Sequence, residues 1–313
     1  TVKARAFLAG YNDSPVSSAV FQIQARLLPA GLIEYWKLDE TGGSSYSNVV
    51  DTNPSAGCSV CPTPVAGRIG GAQEFDGVSQ AIDVPADSSF DWSNSARFSI
   101  EAWVKRTSPC SVTGETVIGR RDASSLLEWS LGCVGSNARF TLIDTSGAGA
   151  GEDLVGTTDI ADGEWHHLVA VRDAISGTNR LYVDGVEEAS ASVSYAGDFT
   201  GVTSLNIGWL NQGGSDQYFA GTIDEVAIYD RVLPDSEIRR HYADGTVGLQ
   251  RGYWGCEAPV RIMPLGDSIT RRVGYRPQLY FGLLGAGYDI DFVGSRVDTS
   301  GTHDRDHEGH SGF

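Results

Sequence analysis

Short apolar stretches that alternate with polar residues run through most of this 313-residue chain. Two clear examples are residues 98–105 (Phe-Ser-Ile-Glu-Ala-Trp-Val-Lys) and residues 166–172 (His-His-Leu-Val-Ala-Val-Arg). In both, one face of an extended chain is apolar. More than ten such stretches follow one another between residues 34 and 229, separated by clusters of Gly, Asp, Asn and Ser. This spacing predicts a mainly β fold in which two sheets pack as a sandwich.

The ends of the chain carry other patterns. Residues 1–25 alternate on both sides of a Gly/Pro-containing turn, which predicts a β-hairpin that is too small to hold a core alone. After the sandwich, Pro234 and acidic residues open a predicted helix over residues 234–242, and Gly245 is expected just beyond its end. Residues 260–265, 275–284 and 289–293 then predict a strand, a helix and a strand, the first unit of an α/β fold.

Three parts are therefore expected: residues 1–25, residues 31–246 and residues 255–313. The hydrophobic fraction of 41% is sufficient for real cores, and no apolar run is long enough to predict a membrane span. A net charge of −17 argues against a nucleic-acid partner, because phosphate binding needs clustered Lys and Arg. The acidic side chains are, however, suitable ligands for Ca²⁺.

The chain contains five cysteines. Cys58 and Cys61 are spaced like half of a zinc site or like a redox motif, but they lie among Pro and Ser, and there is no second pair with this spacing. We therefore favour two disulfides, Cys58–Cys61 and Cys110–Cys133, which predict an oxidising, extracellular location for a secreted protein. Cys256 is left without an assigned partner.

Six sequence blocks carry a resemblance to the laminin-G-like, concanavalin-A-like jelly roll. They are, in order, 35–40 (Tyr-Trp-Lys-Leu-Asp-Glu), 75–77 (Phe-Asp-Gly), 98–104, 163–168 (Gly-Glu-Trp-His-His-Leu), 181–185 (Leu-Tyr-Val-Asp-Gly) and 221–229 (Gly-Thr-Ile-Asp-Glu-Val-Ala-Ile-Tyr). The resemblance implies a two-sheet fold whose ligands are most often carbohydrates. Residues 1–25 resemble the end of the fibronectin-like repeat of chitobiase-type enzymes.

The jelly-roll resemblance also implies a structural calcium site. The matching positions are Asp39, Asp76, Gly77 and Asp224, which offer hard oxygen ligands. The alternative is that Asp76 caps a turn and that Asp224 faces solvent.

A Gly-rich loop near the end of the sandwich carries the best cluster for a glycan, because sugar rings stack on aromatic side chains that have amide or carboxylate neighbours. The cluster consists of Trp209, Asn211, Gln212, Asp216, Gln217 and Tyr218. The other reading of this loop is a surface that binds nothing. Trp36, Trp103 and Trp165 alternate with polar neighbours inside strands, so we expect them in the core.

The apolar stretch 260–265 is followed at once by Gly266-Asp267-Ser268, and a second block, 306–312, reads Asp-His-Glu-Gly-His-Ser-Gly. These blocks resemble the SGNH, or GDSL, hydrolases that deacetylate plant polysaccharides and have a flavodoxin-like α/β fold. The resemblance implies that Ser268 is the nucleophile, with Asp267 supporting its loop. The backbone N–H groups of Ser268 and Gly312 would then bind the oxyanion.

The family's catalytic base and its third oxyanion donor belong to later blocks that the printed sequence does not contain. Asp304-Arg305-Asp306-His307 spells the DxxH of the base block, but it lies inside the second block, where this His is not the base. The acidic and histidine residues between 303 and 310 match no closed metal site. We therefore expect the hydrolase part to be incomplete and inactive as printed.

The resulting expectation is a fragment of a secreted, multidomain carbohydrate-active protein, with further domains on both sides and a polysaccharide or glycan as its partner. A jelly-roll binding module would be attached to a serine esterase. One alternative is a non-catalytic adhesion or scaffold protein whose jelly roll binds protein or acts as a spacer. Another is a free-standing esterase that uses His307 or His310 as its base.

Overall fold

A computed structural model describes residues 28–50, 55–211 and 217–246 in full. In the remainder of the chain, only the backbone of seven short strands is described, two before residue 28 and five after residue 259. All statements on side chains below concern the three fully described ranges.

A sandwich of sixteen strands makes up the fully described part. Its strands are β3 (Leu32–Trp36), β4 (Ser45–Tyr46), β5 (Ala56–Gly57), β6 (Thr63–Ala66), β7 (Gly71–Asp76), β8 (Ile82–Val84), β9 (Phe98–Lys105), β10 (Cys110–Asp122), β11 (Leu127–Gly135), β12 (Asn137–Ile143), β13 (Leu154–Val155), β14 (Trp165–Asp173), β15 (Thr178–Val183), β16 (Val186–Ser192), β17 (Leu205–Ile207) and β18 (Ala220–Tyr229). A short 3-10 helix, Ser88–Phe90, and the helix α1, Asp235–Thr246, complete it. The predicted mainly β sandwich is confirmed.

The strands form two antiparallel sheets. The first, which we call the helix-bearing sheet, has the order β16-β15-β14-β9-β18-β7-β6, and β3 also pairs with β18. The second, which we call the polar-faced sheet, has the order β13-β12-β11-β10-β17-β8-β5-β4. Neighbours in space are often distant in sequence, as in a jelly roll.

The main core lies between the two sheets, where alternate side chains of every long strand meet. A second, smaller core lies on the other face of the helix-bearing sheet, under α1. The helix-bearing sheet is therefore buried on both faces. The polar-faced sheet has one face toward the core, and its other face, which we call the free face, carries polar residues and glycines, several of them buried. The expectation for the tryptophans is confirmed, since Trp36 and Trp103 are fully buried and the half-buried Trp165 packs on the second core.

Helix α1 extends further than the sequence indicates, to Thr246, so the prediction that Gly245 lies beyond its end is wrong. Gly245 is inside the helix and lies against the ring of Trp103, where a Cβ would come within 2.2 Å of Cζ2. Nearby, His241 Nδ1 lies 3.1 Å from the buried carboxylate of Glu101. The glycine is thus required for close packing of the helix on the sheet.

Two sets of strands lie outside the sandwich. Strands β1 (Val2–Ala4) and β2 (Ser17–Ala19) pair antiparallel, as expected for a hairpin in residues 1–25. Near the C-terminus, β19 (Val260–Ile262) and β21 (Ile290–Phe292) pair in parallel. The other C-terminal strands, β20 (Leu265–Gly266), β22 (Arg296–Val297) and β23 (Asp306–Gly309), form a three-stranded sheet. The predicted helix over 275–284 lies outside the described residues.

Candidate functional site

The free face of the polar-faced sheet is lined by short polar residues near its centre. In β8, Ile82 and Val84 point into the core and are fully buried, so Asp83 between them projects to the opposite face. Across the neighbouring strands, Asn206 of β17 pairs with Asp83, and Gly119 of β10 pairs with Asn206. Asn206 and Gly119 are buried, whereas Asp83 is partly exposed, so Asp83 is the member of this row that a ligand can reach.

An aromatic side chain is held over this polar centre. Just after β17, Gly208 has φ +78°, and the ring of Phe75 packs so closely that a Cβ would come within 2.1 Å of it. Only glycine is compatible with this turn, which is followed directly by Trp209. The indole Nε1–H of Trp209 donates to Asp83 Oδ1 at 3.0 Å.

Two further contacts orient the indole. Tyr218 stacks on Trp209, with ring centroids 5.6 Å apart and an interplanar angle of 15°. Asn206 Nδ2 donates to the same Asp83 oxygen at 2.8 Å, so one carboxylate oxygen fixes both side chains. Trp209 and Tyr218 are both partly exposed, and together they form an aromatic pair at the edge of the polar centre.

A cleft of about 330 Å³ lies on the other side of Asp83. It is lined by Ser44, Ser55, Gly57, Cys58, Ser59, Asp83 and Pro85. This volume is at the lower end of the range of about 300–1,000 Å³ that is usual for small-molecule sites. Asp83 therefore joins the cleft to the aromatic pair, and we call the whole arrangement the Asp83 site.

The structure brings some of the predicted glycan residues to the Asp83 site but not all. Trp209 and Tyr218 form its aromatic pair, and Asn211 lies exposed close to them. Gln217 is instead bound to the sheet, since its Oε1 accepts from Arg139 at 3.1 Å and its Nε2 donates to the carbonyl of Thr113 at 3.0 Å. Gln212 and Asp216 lie outside the described residues.

The polar half of the site was not predicted. Asp83, Asn206 and the serines that line the cleft are far apart in sequence and come together only through the strand order β17-β8-β5-β4. A signal was nevertheless present, because Asp83 interrupts an apolar strand between Ile82 and Val84. Such a residue must face away from the core, which marks it as a candidate surface ligand.

Both predicted disulfides are present. Cys58–Cys61 closes the loop that forms one wall of the cleft, and Cys110–Cys133 joins β10 to β11. Within the described residues, Cys110, Glu115 and Cys133 also form the one group of three metal-type ligands with atoms within 4.8 Å of one another. Because the two sulfurs are bonded to each other, this group is not a metal site. Cys256 lies outside the described residues.

The positions expected to bind calcium are divided between two places. Asp39 Oδ1 accepts from the N–H of Gly71 at 2.6 Å, at the start of β7. Asp224 Oδ2 accepts from the N–H of Ile69 at 3.0 Å, in the same corner of the helix-bearing sheet. Asp76 and Gly77 lie at the other end of β7, about 17 Å away along the strand.

Asp76 is bound to its own turn. Its Oδ1 accepts from the backbone N–H groups of Val78, Ser79 and Gln80 at 2.9–3.0 Å, and its Oδ2 accepts from the Ser79 hydroxyl. Burial raises the pKa of Asp76, but these bonds outweigh it and lower the pKa to about 2. This geometry is that of a turn cap.

In the corner near Asp224, by contrast, the carboxyl groups are buried and their pKa values are raised. Asp224 and Glu225 are consecutive residues at a bulge in β18, and both are fully buried. Burial raises the pKa of both groups well above the ordinary values, and the charge of Asp39 raises each further. Tyr35 donates a hydrogen bond to Glu225 Oε2.

Two buried carboxylate oxygens in this corner, Asp224 Oδ1 and Glu225 Oε1, accept no hydrogen bond. Unpaired buried acceptors are costly, and a cation would satisfy both. Of the positions predicted for calcium, Asp39 and Asp224 lie in this corner, and the calcium site stays a prediction.

The predicted catalytic residues Asp267, Ser268 and Gly312 lie outside the described residues. The backbone of the strands around them is described: β20 ends at Gly266, immediately before Asp267, and it pairs in parallel with β23. No helix among the described residues has the length and apolar character needed to cross a membrane.

Comparison with known proteins identifies the family of the fold. A sequence model of the concanavalin A-like lectin/glucanases superfamily matches residues 76–239, just over half of the chain. The chain belongs to this superfamily. The match contains Asp83, Asn206, Trp209 and Tyr218 of the Asp83 site. A search of curated proteins found no significant match.

Solved structures share the fold of this superfamily member. The binding domain of Paraclostridial Mosquitocidal Protein 1 is similar with a TM-score of 0.57 and 15% identity, over 68% of this chain and 52% of that chain. The chain thus spans about half of that structure's length. Domain 4 of AbnA, a GH43 extracellular arabinanase from Geobacillus stearothermophilus solved with arabinotriose, is similar with a TM-score of 0.52 and 23% identity, over 66% and 96%.

A third similar structure is the sialidase of Trypanosoma rangeli, with a TM-score of 0.51 and 18% identity, over 69% of this chain and 33% of that chain. At these identities the likeness establishes the fold. Binding domains and carbohydrate-active enzymes are both present among the three.

Proposed function

We propose that the jelly roll is a carbohydrate-binding module and that the Asp83 site binds its glycan. The observation that carries this proposal is the aromatic pair, Trp209 and Tyr218, held at the edge of a polar cleft by Asp83. An aromatic surface stacks on the apolar face of a sugar ring, while carboxylate, amide and hydroxyl groups bind the ring's hydroxyls. The arrangement supplies both within one continuous surface.

The similar folds support a glycan ligand in general terms. AbnA domain 4 was solved with arabinotriose, and it corresponds to this domain over nearly its whole length. We therefore include arabinotriose and longer arabinan fragments among the first ligands to test.

The test is a screen of immobilised neutral and acidic oligosaccharides against the whole chain, wild type beside Trp209→Ala and Trp209→Phe. We expect wild-type binding to at least one oligosaccharide and a loss of about tenfold or more in affinity for Trp209→Ala. Trp209→Phe keeps a ring but not the Nε1–H, so an intermediate loss is expected. Unchanged binding in Trp209→Ala, with unchanged thermal stability, would contradict the proposal.

The competing function is adhesion or spacing without a glycan. It predicts that no oligosaccharide is retained and that Trp209→Ala has no effect on any partner. The aromatic pair favours the glycan, because a simple spacer does not need partly exposed aromatic rings next to a cleft.

We also propose a structural Ca²⁺ ion bound by Asp224 and Glu225, with Asp39 close by. The ion would neutralise two adjacent buried carboxylates. We expect excess Ca²⁺ to raise the unfolding temperature of EDTA-treated protein, and Asp224→Asn to abolish that rise. Asp76→Asn is the matched control, because Asp76 is bound to its own turn, and it should respond to Ca²⁺ as the wild type does. A wild type whose unfolding temperature ignores Ca²⁺ would contradict this site.

For the C-terminal part we propose a serine esterase of SGNH type, secreted with the binding module. The sequence blocks around Ser268 and Gly312 support it, and the parallel pairing of β19 with β21 is compatible with an α/β fold. The two disulfides support an oxidising, extracellular location. The test is acetyl-ester hydrolysis by the polypeptide in its native sequence context, wild type beside Ser268→Ala. Turnover that persists in Ser268→Ala would refute the assignment.

A further inference from the structure

We propose that the Asp83 site selects neutral oligosaccharides and rejects those that carry a carboxylate, with Asp83 as the residue that determines this specificity. The inference rests on the proposed glycan-binding function and adds the chemical class of the ligand.

Hydrogen bonds hold the Asp83 carboxylate in a fixed orientation. The donors Asn206 Nδ2 and Trp209 Nε1 both bind Oδ1, at 2.8 and 3.0 Å. Neither of these bonds uses Oδ2, and Asp83 lines the cleft. The carboxylate is thus held rigidly with an oxygen available to accept from a ligand. An ionised carboxylate can only accept hydrogen bonds, so it pairs with a sugar hydroxyl but not with another carboxylate.

The lining of the cleft carries no positively charged side chain. Apart from Asp83, it consists of serine, glycine, cysteine and proline residues, so the lining offers hydroxyl and backbone groups and no positive charge. A uronic acid or sialic acid in the cleft would bring a second negative charge close to Asp83, where no cation of the lining offsets it. Like charges brought next to each other in the cleft repel each other.

Two arginines, Arg121 and Arg139, project from the same face of the polar-faced sheet as Asp83. Arg121 lies 3.2 Å from Glu128 and is neutralised by it. Arg139 donates to the carbonyl of Thr113 at 3.3 Å and to Gln217 at 3.1 Å. Both guanidinium groups are engaged with acceptors of the protein, so a ligand carboxylate would have to displace these bonds to reach them.

The test compares neutral oligosaccharides with carboxylated partners on the whole chain: arabinotriose with its aldonic acid, galactotriose with trigalacturonate, and lactose with sialyllactose. Dissociation constants are measured for wild type, Asp83→Asn and Glu74→Gln. Asp83→Asn removes the charge but keeps an oxygen that accepts from Trp209. Glu74→Gln is the matched control, because it removes the same charge from an exposed position on the other sheet.

We expect the wild type to bind a neutral probe about tenfold or more tightly than its carboxylated partner. Asp83→Asn should reduce that ratio by about tenfold, and Glu74→Gln should leave it unchanged. A wild type that binds the carboxylated partner equally well, or an Asp83→Asn variant with an unaltered ratio, would overturn the specificity and leave the binding function in place. If no probe of either class binds, the binding function fails, and the specificity fails with it.

Discussion

Arg120 offers the sharpest test of how the polar-faced sheet is held together. Its guanidinium is fully buried and forms an ion pair of 2.6 Å with Asp91. It also donates to the carbonyl of Thr203 at 3.0 Å, to that of Phe90 at 3.3 Å and to that of Gly201. These bonds join the segment around Asp91 to the loop that leads into β17, the strand that carries Asn206. Replacement of Arg120 by Met should therefore destabilise the whole sandwich.

The expected loss of stability follows from the polar groups that lose a hydrogen-bond donor when Met replaces Arg120. Three carbonyl oxygens lose the guanidinium donor, and Asp91 keeps only the N–H of Gly201. Removal of one member of a buried ion pair costs about 3–5 kcal/mol. The side chain of Asp91 is 30% exposed and can be partly hydrated, which favours the lower end, about 3 kcal/mol. For a domain of this size, a loss of about 3 kcal/mol lowers the unfolding temperature by about 6–12 °C.

Urea unfolding at constant pH, followed by tryptophan fluorescence, measures this loss directly. Arg121→Met is the matched control, because Arg121 is partly exposed and forms one surface ion pair with Glu128, so its loss should cost about 1 kcal/mol or less. Equal effects for the two substitutions, or a loss under about 1 kcal/mol for Arg120→Met, would refute the reasoning on the buried network.

Two further substitutions test the helix-bearing sheet. Burial lowers the pKa of His166, but the hydrogen bonds that its ring donates to Asp184 and Asp162 outweigh it and raise the pKa to about 9, so the protonated ring stabilises the fold below about pH 6.5. As pH rises from 6.5 to 9, the free energy of unfolding should fall by about 2 kcal/mol in the wild type, and His166→Gln should abolish that slope in pH-dependent urea titrations. Gly245→Ala should lower stability by about 1–2 kcal/mol through its clash with Trp103. A rise of about 1 kcal/mol, as helix propensity alone predicts, would contradict that packing.

The sandwich could be predicted because each of its strands and turns can be recognised from a short stretch of sequence. Alternation in stretches such as 98–105 shows which residues face the core, and the Gly, Asp and Asn clusters show where strands end. Gly245 could not be placed in this way. A glycine after an apolar helix usually ends it, and only the position of Trp103 on β9 shows that this one is needed for close packing.

The candidate site could be predicted only in part, for a similar reason. Trp209 and Tyr218 are near each other in sequence, so their aromatic pair could be recognised. Asp83 and Asn206 come from different strands, and their contact depends on the order of strands in the sheet. The same holds for the buried corner at Asp224, where the second carboxyl group is that of its neighbour Glu225, because a bulge in β18 overrides the alternation of a regular strand.

The central claim is that the glycan binds on the free face of the polar-faced sheet at Asp83. Hydrogen–deuterium exchange with and without a bound oligosaccharide tests it most directly, because the exchange reports where the backbone is protected. The account predicts protection in 57–59, 82–84 and 205–211, with little change in the helix-bearing sheet. Protection confined to the helix-bearing sheet or to α1, with 82–84 and 205–211 unchanged, would contradict it.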